Sequence, residues 1–415
     1  MGLPLAAVYA ETTGNVVGVD VDESVVERIE RGESHVDGEP GLSELVSRLV
    51  ADGSLRATTN ADAAAAGATL HVVIVPTLLT ASSEPDLSAL EAAVRAAASG
   101  LDPGDQIVVE STVPPGTCHE TIVPLVAAES GLDPDQFGVA FCPERTSSGR
   151  ALRDIRGAYP KIVGGVDDES TRVAELVYGE LTDNDVVPMA DATVAEAVKV
   201  FEGVYRDVNI ALANELARVA DDLGFDGNAA IEAANTQPYC DIHDPGPGVG
   251  GHCIPYSPYF LTTRTSVDTP LLRTAREVND GMPSFVVSKL DDRLAERGRD
   301  VADARVLVLG LTYRPGVAET RATPARPIVN SLAERGTEVL VADPMLADFS
   351  EFDATVVDVS AVETTDPDGV VLVTPHEAFD DVDWSAFDDA VVVDGRDALD
   401  LESRPDRPVY TVGGG

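Results

Sequence analysis

The sequence predicts an α/β protein in which two doubly wound parallel sheets are joined by a long central helix. Three observations predict it. β-branched runs alternate with helical patterns in the first third, one unbroken helical stripe occupies the middle, and strand–helix alternation resumes from Asp303. In the first third the strands read Asn15–Asp22, His71–Pro76, Gln106–Ser111 and Val139–Cys142, with helices such as Glu23–Arg31 and Leu42–Ala51 between them. The strand runs are continuously apolar rather than alternating, so both faces of their sheet are expected to be covered.

In the middle, Thr193-Val-Ala-Glu196 reads as a capping box. An apolar stripe follows at Val194, Val198, Phe201, Tyr205, Val208, Leu212, Leu216 and Val219, and Gly224 ends it. About 30 residues at ~1.5 Å each make a rod of roughly 45 Å, expected to act as a spine and as the surface of a homodimer. Beyond Asp303, Val306–Leu309, Glu338–Ala342, Val370–Val373 and Ala390–Val393 read as strands and Ala325–Arg335 as a helix. The expected division is 1–188, 189–300 and 301–415.

A chain of 415 residues exceeds one ordinary core. It is 44% hydrophobic, yet no apolar run approaches the roughly 18 residues that span a bilayer. The opening MGLPLAAVYA lacks the basic region of a secretory signal, and Ala6 stands where myristoylation prefers Ser or Thr. The expectation is a cytoplasmic protein with no membrane partner. With 29 Lys+Arg against 72 Asp+Glu, the net charge of −43 excludes nucleic acid, whose phosphates it would repel. The acids are spread along the whole chain, as on a solvated surface, and lysine occurs only at Lys161, Lys199 and Lys289. That pattern suits a high-salt cytoplasm, where screening makes such self-repulsion tolerable.

A dinucleotide-binding unit carries GxGxxG after its first strand and an acid at the end of its second. Asp20 closes the strand NVVGVDVD and lies 18 residues after Gly2, the spacing from the last fingerprint glycine to the ribose acid. The sequence holds neither a strand nor the first two glycines ahead of Gly2. Because the first strand of such a sheet is central, its loss leaves buried backbone groups unpaired at about 1–3 kcal/mol each. The reading is a start assigned late in the gene; the alternative is a damaged protein.

The four cysteines, Cys118, Cys142, Cys240 and Cys253, show neither CxxC spacing nor histidines placed for zinc, so no metal is expected. Each reads by default as a small buried hydrophobe. Cys253 differs by its setting, Pro245–Leu261, PGPGVGGHCIPYSPYFL. Gly246, Gly248, Gly250 and Gly251 allow close backbone approach to a ligand and turn N–H groups inward, which poises a cysteine at the loop's end as a nucleophile. A structural turn with a buried thiol is the alternative.

This run resembles the signature of the UDP-glucose/GDP-mannose dehydrogenase family, in the form found in its UDP-N-acetylmannosamine and UDP-N-acetylglucosamine branch. The resemblance extends over the chain in order: Gly2–Ala6, Glu39–Leu42, Ser111–Thr117 (STVPPGT), Cys142–Arg145 (CPER), Tyr205–Glu215 (YRDVNIALANE), Gly310–Pro315 (GLTYRP), Glu319–Arg321 and Asp394–Arg396. It implies Rossmann-like folds for both sheets, with an NAD-binding domain and a UDP-sugar-binding domain. It also implies oxidation of the sugar C6 hydroxymethyl to a carboxylate by two NAD. In that chemistry the Cys253 thiolate captures the aldehyde as a thiohemiacetal and then carries a thioester. Lys199 falls at the catalytic lysine, and Glu144 and Thr112 where the hydrolytic water is positioned. The implied cofactor contacts are Gly2, Asp20, Pro76, Thr77, Ser111 and Thr112. The implied substrate contacts are Arg206, Asn209, Gly248, Gly250, Gly251, His252, Arg321 and Arg396. Surface ion pairs remain the alternative for Arg321 and Arg396, and loop filler for His252.

Four positions depart from the family pattern. Gly203 replaces Asn one turn after Lys199, Ser257 replaces Asp four residues after the cysteine, Leu78 replaces Pro, and Tyr239 replaces Arg. A mid-helix glycine costs about 1 kcal/mol with no packing gain evident from sequence. Loss of a polar donor beside a nucleophile lowers rates by about 10²–10³. The expected function is therefore a UDP-N-acetyl-hexosamine 6-dehydrogenase. The alternatives are a UDP-glucose 6-dehydrogenase and a catalytically degenerate nucleotide-sugar-binding homologue.

Overall fold

The structure, a computed structural model, describes residues 1–36, 38–399 and 409–414. It divides into two compact units: Met1–Glu202 with Tyr259–Ser266, and Gly203–Pro258 with Val267–Gly415. Each contains a largely parallel, helix-covered sheet, the fold class read from the sequence.

In the first unit, β1 (Val16–Val19) and β2 (Leu55–Thr58) form a parallel pair with Val16 opposite Leu55. Strand β3 (Leu70–Val73) is followed by a short antiparallel pair, β4 (Leu78–Leu79) and β5 (Pro85–Asp86). With β6 (Gln106–Val109), β7 (Gly138–Phe141), β8 (Lys161–Gly165) and β9 (Val186–Pro188), β3 builds a five-stranded sheet ordered β3-β6-β7-β8-β9. All its pairings are parallel except β7 with β8. The β-branched residues of β6 serve two cores, because successive side chains face opposite ways. Val108 packs with Leu5, Val8, Leu42 and Tyr178 on one side. Ile107 and Val109 pack with Leu90, Val94 and Val126 on the other. This is why the strands read as unbroken apolar runs.

In the second unit, β10 (Arg305–Leu309), β11 (Glu338–Ala342), β12 (Thr355–Val356), β13 (Gly369–Leu372), β14 (Val391–Asp394) and β15 (Val409–Thr411) form one parallel sheet ordered β12-β11-β10-β13-β14-β15. This is the doubly wound order, with the first strand central and a crevice outside the strands' carboxyl ends. Val306 and Val308 face a core shared with the helices Pro270–Glu296 and Ala325–Glu334, while Leu307 and Leu309 face the opposite one. Here β10 lies between β11 and β13. In the first unit, no hydrogen-bonded strand joins β1 to β3 among the described residues, so the sheet is divided at the corresponding place.

Ala192–Leu223 is a single 32-residue helix. Gly224 ends it in the left-handed region at φ +73°, donating its N–H to Ala220 O at 2.8 Å. The expected capping box is not what starts it. Asp191 supplies the cap, accepting the Thr193 N–H at 2.7 Å. Glu196 turns away and accepts the N–H groups of Gly116 (2.5 Å) and Cys118 (2.7 Å). Among the described residues no helix is long and apolar enough to cross a membrane.

Candidate active site

Of the cofactor contacts expected from the sequence, Asp20, Pro76, Thr77, Ser111 and Thr112 follow parallel strands of the first unit. Gly2 opens the helix Gly2–Thr13, whose N-terminus has no side-chain cap among the described residues. Asp20 follows β1 and is exposed; one of its carboxylate oxygens accepts the Asp22 N–H at 2.9 Å. Pro76 and Thr77 follow β3, Pro76 exposed and Thr77 buried. Among the described residues the Thr77 hydroxyl has no hydrogen-bond partner. Ser111 follows β6 and its hydroxyl accepts the Val75 N–H at 2.8 Å, tying the two strand ends together; Thr112 beside it is half-buried. An orphaned buried hydroxyl is costly unless a ligand answers it. With a free helix N-terminus and an exposed strand-end carboxylate, these residues fit a dinucleotide.

In the same unit Lys199 and Glu144 meet. Lys199 Nζ lies 3.6 Å from Glu144 Oε2 and donates to the Glu144 carbonyl. Burial raises the Glu144 pKa, but Lys199 and the Thr146 hydroxyl and amide outweigh it and hold the carboxyl below its ordinary value. The loop is pinned further by Arg145, which pairs with Glu202 at 2.8 Å and whose carbonyl accepts the Tyr159 hydroxyl. Behind it lies a buried cluster in which Tyr178 donates to Glu110 and Lys161 sits over the Tyr178 ring. Burial raises Glu110, with Lys161 opposing.

The glycine-rich loop belongs to the second unit. Cys253 is the first residue of the helix Cys253–Thr262, exposed, with its Sγ 3.7 Å from His252 Nδ1. Cys118 and Cys142 are fully buried, and burial pushes the Cys142 thiol up to about 12; Cys240 is half-buried. The loop glycines are closely packed. A Cβ at Gly250 would lie 2.6 Å from the Cβ of Tyr313, and one at Gly248 3.2 Å from Pro324. Gly251, at φ +83°, donates its N–H to Arg321 O at 2.9 Å.

The proposed sugar-nucleotide residues divide. Arg396 is half-buried and directed to backbone, reaching Gly248 O at 3.4 Å and Val373 O at 3.5 Å. Arg321 pairs with Glu319 at 3.2 Å, so both the ion pair and the loop contact through its carbonyl are present. Arg206 is exposed on the long helix. The Asn209 side chain donates to Asp241 O at 2.6 Å and accepts the His243 N–H at 2.9 Å, buttressing the loop that leads to the glycines.

Five residues that hold these loops, Glu196, Asn214, Asn279, Asp207 and Arg276, escape a reading of the sequence. Glu196 fixes the STVPPGT turn, and its signal was present but read as a cap. Asn214 accepts the Gly246 N–H at 2.8 Å and donates to Asn279 at 2.9 Å; Asn279 in turn donates to Asp207, which Arg276 pairs at 2.5 Å. Nothing short of the fold reveals that chain of bonds, because its members lie far apart in sequence. The expectation that Gly203 gains no packing is corrected. A Cβ there would stand 2.0 Å from Ser257 Oγ and 2.6 Å from Ser257 Cβ.

Comparison with known proteins identifies the family. Three profiles of the UDP-glucose/GDP-mannose dehydrogenase family match in order: the NAD binding domain over residues 1–182, the central domain over 193–281 and the UDP binding domain over 307–401. The chain is 34% identical over 407 residues to UDP-N-acetyl-D-mannosamine dehydrogenase of Pyrococcus horikoshii, covering 96% of this chain and 94% of that protein. It is 36% identical over 409 residues to NDP-N-acetyl-D-galactosaminuronic acid dehydrogenase of Ralstonia nicotianae, covering 95% and 93%. The solved structure of UDP-D-ManNAc dehydrogenase from Pyrococcus horikoshii superposes with a TM-score of 0.91 at 34% identity, over 100% of this chain and 97% of that one. The chain therefore belongs to the UDP-glucose/GDP-mannose dehydrogenase family and is an NAD-dependent nucleotide-sugar dehydrogenase.

Proposed function

We propose that the chain oxidises the C6 hydroxymethyl of a UDP-N-acetyl-hexosamine, UDP-N-acetylmannosamine foremost, to the uronate through covalent adducts on Cys253. The observation that carries this reading is the placement of Cys253. It is an exposed thiol at a helix N-terminus, at the end of a loop whose glycines are packed against the second unit's own residues. The printed names of the relatives, which include N-acetylmannosamine and N-acetylgalactosaminuronic acid enzymes, favour an N-acetylated sugar.

When bound by Gly2, Asp20, Pro76, Thr77, Ser111 and Thr112, NAD supplies the hydride acceptor, twice per sugar. The chain's own residues do the rest. The Cys253 thiolate adds to the C6 aldehyde, forming a C–S bond while the carbonyl oxygen takes up a proton. This turns an aldehyde, whose C–H could leave as hydride only by way of an unstabilised acylium, into a tetrahedral carbon whose oxygen drives hydride loss. Oxidation of that carbon leaves a thioester. Water then attacks the acyl carbon, the C–S bond breaks, and carboxylate and thiol are released. Lys199 supplies positive charge for the oxyanions, and Glu144, held ionised, orients water and takes its proton. Thr112 assists in placing that water. Arg206, Asn209, Gly248, Gly250, Gly251, His252, Arg321 and Arg396 are assigned to the UDP-sugar.

The assay is NADH formation with a panel of UDP-sugars, in high salt. Two NADH per N-acetylated sugar supports the reading, and preference for UDP-glucose replaces the substrate. Binding without NADH makes the chain a degenerate homologue.

We further assign the protein to the cytoplasm and to a homodimer, with division into parts 1–188, 189–300 and 301–415. A second copy as partner is supported by Tyr205, Leu212, Leu216, Val219 and Leu223, apolar residues at helical spacing that the long helix leaves exposed. Sedimentation at high salt tests it.

A further inference from the structure

The second unit holds a fully buried polar cluster that the chemistry above does not use. Asp343, at the end of β11, accepts the N–H groups of Leu311 (2.6 Å) and Thr312 (3.0 Å). His376 Nε2 contacts both Thr312 Oγ1 at 2.8 Å and Asp343 Oδ2 at 3.1 Å, and the Thr374 hydroxyl donates to Thr312 O at 2.6 Å. Thr312, Asp343, Thr374 and His376 are all at most 5% exposed. Burying four such groups is costly unless all are paired, and here they are paired around one residue, Thr312. The next residue is Tyr313, whose N–H donates to Glu319 O at 3.0 Å and closes the turn. Its ring lies against the nucleophile loop: a Cβ at Gly251 would meet its Cε2, Cδ2 and Cζ at 2.9, 3.0 and 3.4 Å. Burial raises the Tyr313 pKa, with Glu319 adding to it and Arg314 opposing.

We propose that Tyr313 is a positioning residue for Cys253: clamped from below by Thr312, Asp343, Thr374 and His376, its ring forms the seat that fixes Gly250 and Gly251 and thereby sets where Sγ stands. The inference rests on the reading of Cys253 as nucleophile only for its effect on turnover. The seat itself is a statement about the loop.

Two readouts keep these apart in the full-length protein. Tyr313→Ala lowers kcat by about 10²-fold, the order that misplacing a reacting group by 1 Å costs, while KM for the UDP-sugar stays within about threefold. Tyr313→Phe keeps the ring and rescues most of the loss. Independently of turnover, iodoacetamide alkylation of Cys253 changes in rate by about fivefold or more in Tyr313→Ala and stays near wild type in Tyr313→Phe. Gly251→Ala, which drives a methyl into the ring and also strains a backbone at φ +83°, lowers kcat as well but adds less in the Tyr313→Ala background, because the collision is gone and only the backbone strain remains. Thermal unfolding confirms that each variant is folded; one that is not is replaced by Tyr313→Leu. An unchanged alkylation rate in folded Tyr313→Ala, or strictly additive losses in the double variant, overturns the seat. If Cys253→Ala still forms two NADH per sugar, the nucleophile reading fails instead, and the alkylation rates still decide the seat.

Discussion

A methyl group on residue 203 would stand 2.0 Å from the hydroxyl oxygen of Ser257, so Gly203 and Ser257 are two halves of one packing arrangement. Read separately, they are two polar groups lost from the family pattern. Together they close a space: Ser257 lies over the glycine and donates to Cys253 O at 2.7 Å, bracing the first turn of the nucleophile's helix. Gly203→Ala gains about 1 kcal/mol of helix propensity yet is expected to lose about 1–3 kcal/mol net through overpacking. Ser257→Gly removes both colliding atoms and should recover part of that loss, with a coupling of about 1 kcal/mol or more. Denaturant unfolding of the four proteins at one salt concentration measures it. A Gly203→Ala protein as stable as wild type would show that the helices part without cost.

The cysteines should separate by reagent. Cys253 is exposed, Cys118 and Cys142 are buried, and the Cys142 thiol is pushed up to about 12. Iodoacetamide at pH 8 is expected to modify Cys253 first, with loss of NADH formation in step. Cys118 and Cys142 should react only on unfolding. Peptide mass mapping against time gives the order, and early loss of Cys142 would contradict the burial that separates them.

Asn214 tests the hidden bond chain. Asn214→Leu leaves the Gly246 N–H and the Asn279 amide without their partner, at about 1–3 kcal/mol for each buried group. The expected protein is folded but less stable, with raised protease cleavage between Pro245 and Cys253. An Asn214→Leu protein with wild-type stability would mean that water replaces the side chain there.

What could be read ahead of the structure follows from where the information lies. Apolar runs such as Val306–Leu309 announce buried parallel strands, because a strand covered on both faces has no polar alternation to hide it. Gly224 announces a helix end, since its left-handed φ suits glycine. Cys253 stands out through local glycine density. Glu196 reads as a cap because a carboxylate three residues into a helix has the same local sequence whether it caps its own helix or reaches across to Gly116 and Cys118. The Gly203–Ser257 contact and the His376–Asp343 pair join positions separated by 54 and 33 residues, and no local pattern encodes them.

The Glu144–Lys199 pair sets a pH dependence. Lys199 and Thr146 hold the Glu144 carboxyl below its ordinary value against the opposing effect of burial. A group whose folded pKa is depressed contributes stability that is present above its unfolded pKa, about 4.3, and is lost as pH falls through the folded value. The stability advantage of wild type over Glu144→Gln is therefore expected at pH 7 and should vanish on acidification below that point. Lys199→Met removes the largest opposing charge, so the carboxyl rises and the acid limb of kcat/KM moves to higher pH. Urea unfolding and pH–rate profiles of the three proteins measure both, and an acid limb unmoved in Lys199→Met would detach Glu144 from the rate.

Salt is the last lever. With 72 acidic against 29 basic residues, most carboxylates have no cation to face, and repulsion between them opposes the compact state. The screening length falls from about 10 Å at 0.1 M salt to about 3 Å at 1 M, below the spacing of most surface charges. The melting temperature is therefore expected to climb steeply as KCl is raised from low concentration and then to level off. Screening depends on ionic strength, whereas strengthened apolar burial depends on the anion and keeps growing with concentration. KCl and potassium sulfate compared at equal ionic strength separate the two. Coincident curves at the low end assign the effect to the carboxylates, and a melting temperature that ignores salt would mean their charges are neutralised within the fold.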